Sequence, residues 1–451
     1  MGHFVASLFR GYALLACWSW SNDRVLLSSI NPYHEKVKNS PRCLQRIWTF
    51  ATLCAKVERS VTLLFLAGDH MDAYPARLIY ADSESCADLF YATGFFAPDP
   101  FLYVKEGGPQ GASHMVVSAL EIDRARRCAK VDKIHDMADV RDFYFEIHAD
   151  GVPGEGDLVA AFLKKLSVGD VITPWDFPLA IADTLRHEGV GVTPMSGPFW
   201  PDRAHKQDDE IAYIEAALEI TGKGMQAGID LIHMADIDED GGLYYKGEAL
   251  TAERVRAKIN ATLVELGAMP HHTIVSGGQQ GADPHEEGHG PLPAHQPIIL
   301  DVFPRHEKSG YWGDMTRTVC RGVAPEPLKK AWACVRQGQE IAFSMLCAGV
   351  SGKAVHEAIT NYFTEQGFAT GPGEDGKQRG FFHGTGHGLG LEIHESPRIS
   401  SRDMVLEAGH VVTVEPGLYY PEWGGVRLED VVVIENGGCR NLTKFPKILE
   451  V

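Results

Sequence analysis

FFHGTGHGLGLEIHE, residues 381–395, carries three histidines, His383, His387 and His394, among glycines at 384, 386, 388 and 390. In an extended segment side chains alternate between faces. His383, Thr385 and His387 then share one face, and Gly384, Gly386 and Gly388 the other. Histidine is the commonest metal ligand and the usual proton carrier near neutral pH. A bare glycine face lets a neighbouring backbone come close. Taken alone, the stretch reads equally well as a surface loop, so the decision rests on what surrounds it.

Four acidic residues decide it. Asp301 ends the apolar run PIIL, Asp314 opens DMTRTV, Glu415 ends HVVTV, and Glu429 sits in GVRLEDVVVI. Each lies in or beside a β-branched, apolar segment that reads as a buried strand. Carboxylates are rarely buried without a partner. Four of them at strand edges, with a histidine strand between, read as a metal site. Four carboxylates and one neutral imidazole balance two divalent cations. Oxygen-rich ligation with a single imidazole suits manganese, with cobalt, iron or zinc as alternatives, better than a structural thiolate zinc site.

HGTGHGLGLEIHE, VEPGLYY, GVRLED and the Asp301/Asp314 pair resemble the pita-bread metallopeptidases over roughly the last 250 residues. That family includes aminopeptidase P, prolidase, methionine aminopeptidase and the non-metal enzyme creatinase. The resemblance implies that Asp301 binds one metal, that His387 and Glu415 bind the other, and that Asp314 and Glu429 bridge them. The family usually places its two aspartates eleven apart; here they stand thirteen apart, from 301 to 314, which reads as a longer hairpin turn.

The chain has 451 residues, enough for two or three domains. Its formal charge of −18 argues against nucleic acid as a partner, and no apolar run is long enough for a membrane span. Nine scattered cysteines without a CxxC pair favour free thiols in a reducing compartment, the cytoplasm. Residues 1–70 differ from the rest: eight Lys/Arg and four Asp/Glu give +4, which leaves −22 for residues 71–451. They read as a non-native or disordered extension, with the working protein starting at Met71.

From Leu78 strands and helices alternate. LIYAD, PFLYVK and SHMVVS are strands; ALEIDRARRCA is a helix with Leu120, Ile122 and Ala125 on or near its apolar side; LVAAFLKKL and PLAIADTLRHEG are helices, and VITP and VTPM short strands. This α/β layer, 71–202, corresponds by resemblance to a creatinase-like N-terminal domain that helps build the substrate entrance and an oligomer contact. PFWPDRAHK, 198–206, reads as the linker.

The catalytic domain, 203–451, reads as a duplicated α+β unit. A helix with Ile211, Ile214 and Leu218 on one face is followed by TAERVRAKINATLVELG, with Val255, Ile259, Leu263 and Leu266 on its apolar side, and then by the strands that reach Asp301 and Asp314. LKKAWACVRQGQEIAFSML and KAVHEAITNYFTEQG repeat the helix pair before His387, Glu415 and Glu429. The order implies an internal pseudo-two-fold with the metals between the halves.

Glu415 is the candidate base for the attacking water as well as a ligand. By resemblance His383 and His394 orient substrate and stabilise developing charge; alternatively they only fix carboxylate orientation. By resemblance His285 matches a further substrate-binding histidine, with His289 as its rival; alternatively either is simply part of an exposed loop. Arg427, two residues before Glu429, shares its face and compensates the carboxylates. R-x-E-D resembles aminopeptidase P and prolidase, whereas methionine aminopeptidases usually have an uncharged residue there and lack the extra domain. The expected activity is cleavage before proline at the N-terminus of peptides, with prolidase as the alternative, then methionine aminopeptidase or a creatinase-like hydrolase. The expected assembly is a homodimer or larger homo-oligomer, and Tyr311 and Trp312 are candidate apolar walls of the proline pocket that could equally pack in the core.

Overall fold

The computed structural model describes residues 18–21, 24–27, 75–108, 110–148 and 150–451. Trp18–Ser21 and Arg24–Leu27 form a short antiparallel pair. The expectation that the working protein starts at Met71 otherwise falls outside the described residues. Pro75–Val451 forms one compact unit.

The N-terminal layer is a six-stranded mixed sheet made of β1 (Ala76–Ala81), β2 (Phe101–Lys105), β3 (Ser113–Val117), β4 (Lys133–Asp136), β5 (Asp170–Thr173) and β6 (Gly191–Pro194), in the order β4-β3-β2-β1-β5-β6. Both faces are covered. Leu78, Leu102, Val104 and Val116 pack on one side with Phe162 and Leu185. Ile79, Phe101, Tyr103, Met115 and Val117 pack on the other with Leu89 and Ala125. The period of two thus serves two cores, which is why these strands read as continuous apolar runs. The helices are α1 (Ala87–Thr93), α2 (Ile122–Cys128), α3 (Met137–Ile147), α4 (Glu155–Lys165) and α5 (Leu179–His187). Leu120 departs from expectation: α2 starts two residues later, and Leu120 stands in the turn before it, 87% exposed.

The remainder is built twice from one plan. α6 (Asp208–His233) and α7 (Ala252–Glu265) precede the antiparallel sheet β7 (Ile274–Gly277), β8 (Ile298–Val302) and β9 (Met315–Val319). α8 (Glu326–Met345) and α9 (Gly352–Glu365) precede a larger sheet. It contains β10 (Gly386–Gly388), β11 (Glu395–Ile399), β12 (Val411–Val414), β15 (Asp430–Glu435) and β16 (Gly438–Asn441), in the order β11-β10-β12-β15-β16. The hairpin β13 (Gly417–Tyr420) and β14 (Gly424–Arg427) lies between β12 and β15 in the chain. In each half a helix glycine makes room for the paired helix. A Cβ on Gly224 or Gly228 of α6 would lie 2.7 Å from Leu263 or Ile259, and one on Gly338 of α8 would lie 2.7 Å from Phe363. Thr251 caps α7 and Ser351 caps α9 through their side-chain oxygens. Val255, Ile259 and Leu263 are buried as their spacing requires, but Leu266, past the end of α7, is 38% exposed.

The halves are stitched together between β9 and β14/β15. Arg317, 1% exposed, bonds Asp430 at 2.9 Å and the carbonyls of Thr316, Glu429, Phe445 and Pro446. Thr318 accepts from the Arg427 N–H at 3.0 Å, and the Glu429 N–H donates to the Thr316 carbonyl at 3.1 Å. Acidic residues at the ends of strands from both sheets therefore converge on this seam.

Candidate metal centre

β10 lies close to its neighbours because it is glycine-lined. A Cβ on Gly386 would lie 1.9 Å from the Thr413 carbonyl oxygen, and one on Gly388 would lie 2.4 Å from that of Ser396. Only glycine permits these approaches. The opposite face then presents His387 and Thr385, as alternation requires.

His387 is 5% exposed. Its Nδ1 faces the Gly388 carbonyl at 3.2 Å, so that nitrogen carries the proton and Nε2 offers a lone pair. Nε2 lies 3.3 Å from Glu415 Oε1 and 3.7 Å from Asp314 Oδ2. Ligand atoms of Asp314, His387 and Glu429 all fall within 4.8 Å of one another. Thr316 donates to Glu429 at 2.8 Å, and Thr413 holds the His387 N–H at 3.0 Å. Asp301 accepts from Arg427 Nη2 at 2.7 Å through Oδ2, while its Oδ1 is buried with no hydrogen-bond partner.

Burial pushes Asp314 well above the usual carboxylate range, and the charges of Asp301 and Glu415 push it further. Glu429 is raised in the same way, by burial and then by Asp314 and Glu415. Burial lifts Glu415 to about 8 against the pull of Arg427. Burial lowers His387 to about 3, so it stays neutral. Four acids this close ionise together only when cations compensate them. The neutral imidazole, the orphaned Asp301 oxygen and the oxygen-rich donor set fit divalent metal ions.

Around this cluster runs a chain of hydrogen bonds that the sequence did not reveal. Arg427, 3% exposed, donates through Nη1 to the Tyr419 hydroxyl at 2.8 Å. That hydroxyl lies 2.9 Å from His383 Nε2, and His383 Nδ1 lies 2.7 Å from the Gly384 carbonyl. Burial holds His383 down at about 3, so the neutral ring donates from Nδ1 and accepts from Tyr419. Both nitrogens of His383 are thus engaged. His394 stands with its ring edge-on to His387, centroids 4.4 Å apart, and its ring has no hydrogen-bond partner among the described residues. His285 lies on an exposed loop close enough for its charge to bear on His383 and His394. His289, its rival, has its backbone held by Gln280.

Arg398 was also missed. It pairs with His387 across β10 and β11, its charge reaches His394 and Glu415, and its guanidinium has no hydrogen-bond partner among the described residues. Tyr311 and Trp312 take the second course the sequence left open and are drawn into the packing. Tyr311 is buried in the core and donates to Glu210 at 2.6 Å, and Trp312 packs on His271 and donates to the Leu391 carbonyl at 3.0 Å. The enlarged turn between β8 and β9 instead packs against the N-terminal layer: Arg305 sits over Phe96, and Gly310 lies beside Phe96 and Phe90.

A duplicated helix-pair and sheet unit closed around a buried carboxylate and histidine cluster, behind an α/β layer, is the pita-bread fold with a metallopeptidase donor set. Residues 212–436 match the sequence model of metallopeptidase family M24, and through this domain the chain belongs to that family. The chain is 32% identical over 251 residues to a Xaa-Pro dipeptidase of Pyrococcus horikoshii, covering 55% of this chain and 64% of that one. It is 37% identical over 177 residues to an uncharacterized peptidase of Bacillus subtilis, covering 39% of this chain and 47% of that one. The matched region thus spans about half to two thirds of these relatives. An X-Pro aminopeptidase from Thermotoga maritima superposes with TM-score 0.69 at 22% identity over 84% of this chain and 98% of its own. The prolidase from Pyrococcus horikoshii superposes with TM-score 0.66 at 25% identity over 83% and 95%.

Proposed function

We propose that this chain is a peptidase with two divalent cations that cleaves the bond before proline at the N-terminus of peptides. Arg427 carries the reading. It is a buried cation bonded to Asp301, two residues before Glu429 at the end of β14, at a position where methionine aminopeptidases usually carry no charge. The N-terminal layer, which those enzymes lack, supports the same branch.

Asp301, Asp314, His387, Glu415 and Glu429 would hold the ions, manganese first, with cobalt, iron or zinc as alternatives. Bound there, they would polarise the scissile carbonyl and lower the pKa of the attacking water. Glu415 is more open, with its side chain 18% exposed against 6% for His387 and Asp314; it takes the water's proton and delivers it to the leaving amine. His394, exposed and unpartnered, is the better placed donor to the substrate carbonyl. His383 contributes by fixing the Tyr419 hydroxyl. His285 reaches the same side from its loop. Arg427 holds Asp301 in place and supplies positive charge without being a ligand.

Proline's nitrogen has no hydrogen, and its ring fixes the local backbone. A site that reads it needs an apolar wall and donors for the carbonyl alone. Phe382 supplies the wall: it is 37% exposed, with its ring 5.4 Å from that of Tyr419. A second reading, Xaa-Pro dipeptidase, is favoured by Arg398, whose free guanidinium beside His394 could take a substrate's terminal carboxylate. Rates on Xaa-Pro-Yaa and Xaa-Pro peptides separate the two. Faster tripeptide cleavage, insensitive to Arg398→Ala, supports the aminopeptidase; preference for the dipeptide, lost in Arg398→Ala, supports the dipeptidase.

The reading includes a cytoplasmic location and a homodimer or larger homo-oligomer. The six described cysteines are all unpaired, in keeping with a reducing compartment. No described helix is long and apolar enough to cross a membrane.

A further inference from the structure

His394 has a task in the proposed reaction but nothing of its own to hold it in place. The segment that carries it is fixed at both ends by other parts of the molecule. At the front, the Trp312 N–H donates to the Gly390 carbonyl at 2.9 Å and its indole N–H to the Leu391 carbonyl at 3.0 Å. At the back stands a cluster of charges from three places in the chain. Arg203, in the segment joining the two domains, bonds Glu392 at 2.9 Å and Glu395 at 2.8 Å, the acids on either side of His394. The same guanidinium bonds Asp88 of α1 at 2.7 Å. Lys206, its side chain 1% exposed, pairs with Glu395 and donates to the Arg203 carbonyl at 2.6 Å.

Arg203 is 11% and Glu395 8% exposed at the side chain, so their pair is not a solvated surface pairing of little consequence, whereas Glu392, 54% exposed, is the weaker outer contact. The planar guanidinium fork holds three carboxylates in one geometry, which a lysine's single ammonium cannot reproduce. Glu395 and Lys206 also close over the bare Gly390: a Cβ there would lie 2.5 Å from Glu395 Oε1 and 2.9 Å from Lys206 Cε.

We propose that Arg203 is a positioning residue that sets His394 against His387 by clamping Glu392 and Glu395, with Asp88 tying the clamp to the N-terminal domain. The inference rests on the proposed role of His394 in turnover. The interdomain segment is then part of the active-site scaffold and not a passive tether.

A double-mutant cycle tests it in the full chain loaded with manganese. His394→Ala, Arg203→Ala and the pair are compared for kcat, KM and metal content on an Xaa-Pro tripeptide. Arg203→Ala is expected to lower kcat about tenfold or more, with metal content unchanged, and to add little once His394 is gone. Arg203→Lys should recover only part of the loss, and Asp88→Asn, which leaves the two glutamate contacts intact, should cost less than Arg203→Ala. A crystal structure of Arg203→Ala supplies a reading independent of substrate: the 391–396 segment should shift and His394 should leave the edge of His387. Additive losses, parallel loss of metal, turnover within twofold of wild type, or an unmoved His394 would each overturn the proposal. A wild-type enzyme inactive on Xaa-Pro peptides would instead overturn the proposed function, and the crystallographic arm would still judge the clamp.

Discussion

Asp314 touches the most of the metal-site account at a single position. Its carboxylate lies near His387 and Glu429, and its burial is tolerable only with compensating charge. Asp314→Ala should lower bound metal by at least one equivalent by elemental analysis and abolish turnover. Full metal content with normal activity would remove it from the ligand set. Arg427→Ala should behave differently: turnover should fall a hundredfold or so while metal content changes little, because arginine is not a ligand and its loss frees Asp301 and Tyr419 together. The candidate ligand positions stood out in the sequence because each acid ends or opens an apolar run, a local pattern. Tyr419 was not, although VEPGLYY was in plain view, because its role depends on Arg427 and His383, eight and thirty-six residues away. Nothing in the run itself marks which tyrosine turns inward.

Among the elements, β10 depends on its glycines and β9 on one arginine. Gly386→Ala would drive a methyl into the Thr413 carbonyl. Overpacking of this kind costs about 1–3 kcal/mol, and here it would also shift His387 next door. Thermal melting should show the lost stability and elemental analysis the weakened metal binding. Arg317→Ala would leave the buried Asp430 with Lys447 and Asn441 but without its guanidinium partner, and would take one donor from each of four carbonyls. A cost of about 3–5 kcal/mol is expected, read as a lower denaturant midpoint. In the N-terminal layer, His114 is buried between Glu106 at 3.1 Å and His135 at 3.1 Å, and burial lowers both histidines below 6.5. The unfolded chain takes up protons at 6.5 and the folded pair only below it. Stability is therefore complete above about pH 6.5 and falls as pH drops beneath it. Lys133, Lys165, Asp132 and Asp139 also face the pair, the lysines opposing and the aspartates favouring protonation. Melting temperature against pH should slope less in His114→Gln than in wild type; equal slopes would remove the pair as the cause. Helices and strands were readable at this scale because apolar spacing and caps are local. Leu120 misled because a turn, which has no period, exposes it.

At the scale of the whole molecule, the enlarged turn between Asp301 and Asp314 and the segment 198–206 looked like connections in the sequence. In the structure the first packs on Phe90 and Phe96, and the second carries Arg203 and Lys206 to the histidine segment. Such joints arise only when distant segments meet, so spacing and composition do not announce them. Pro75–Val451 forms one compact unit, so a chain beginning at Met71 should fold and keep full activity. Insolubility or a large loss of activity would make the preceding residues structural. In the proposed function, cations in the carboxylate and histidine cluster drive cleavage before proline. The most direct test is the initial rate of the metal-stripped protein, with and without added manganese, on an Xaa-Pro tripeptide and the matched Xaa-Ala tripeptide. No activity is expected without metal and, with manganese, cleavage of the Xaa-Pro peptide far faster than its alanine counterpart. Equal rates on the two peptides, or turnover without metal, would contradict it.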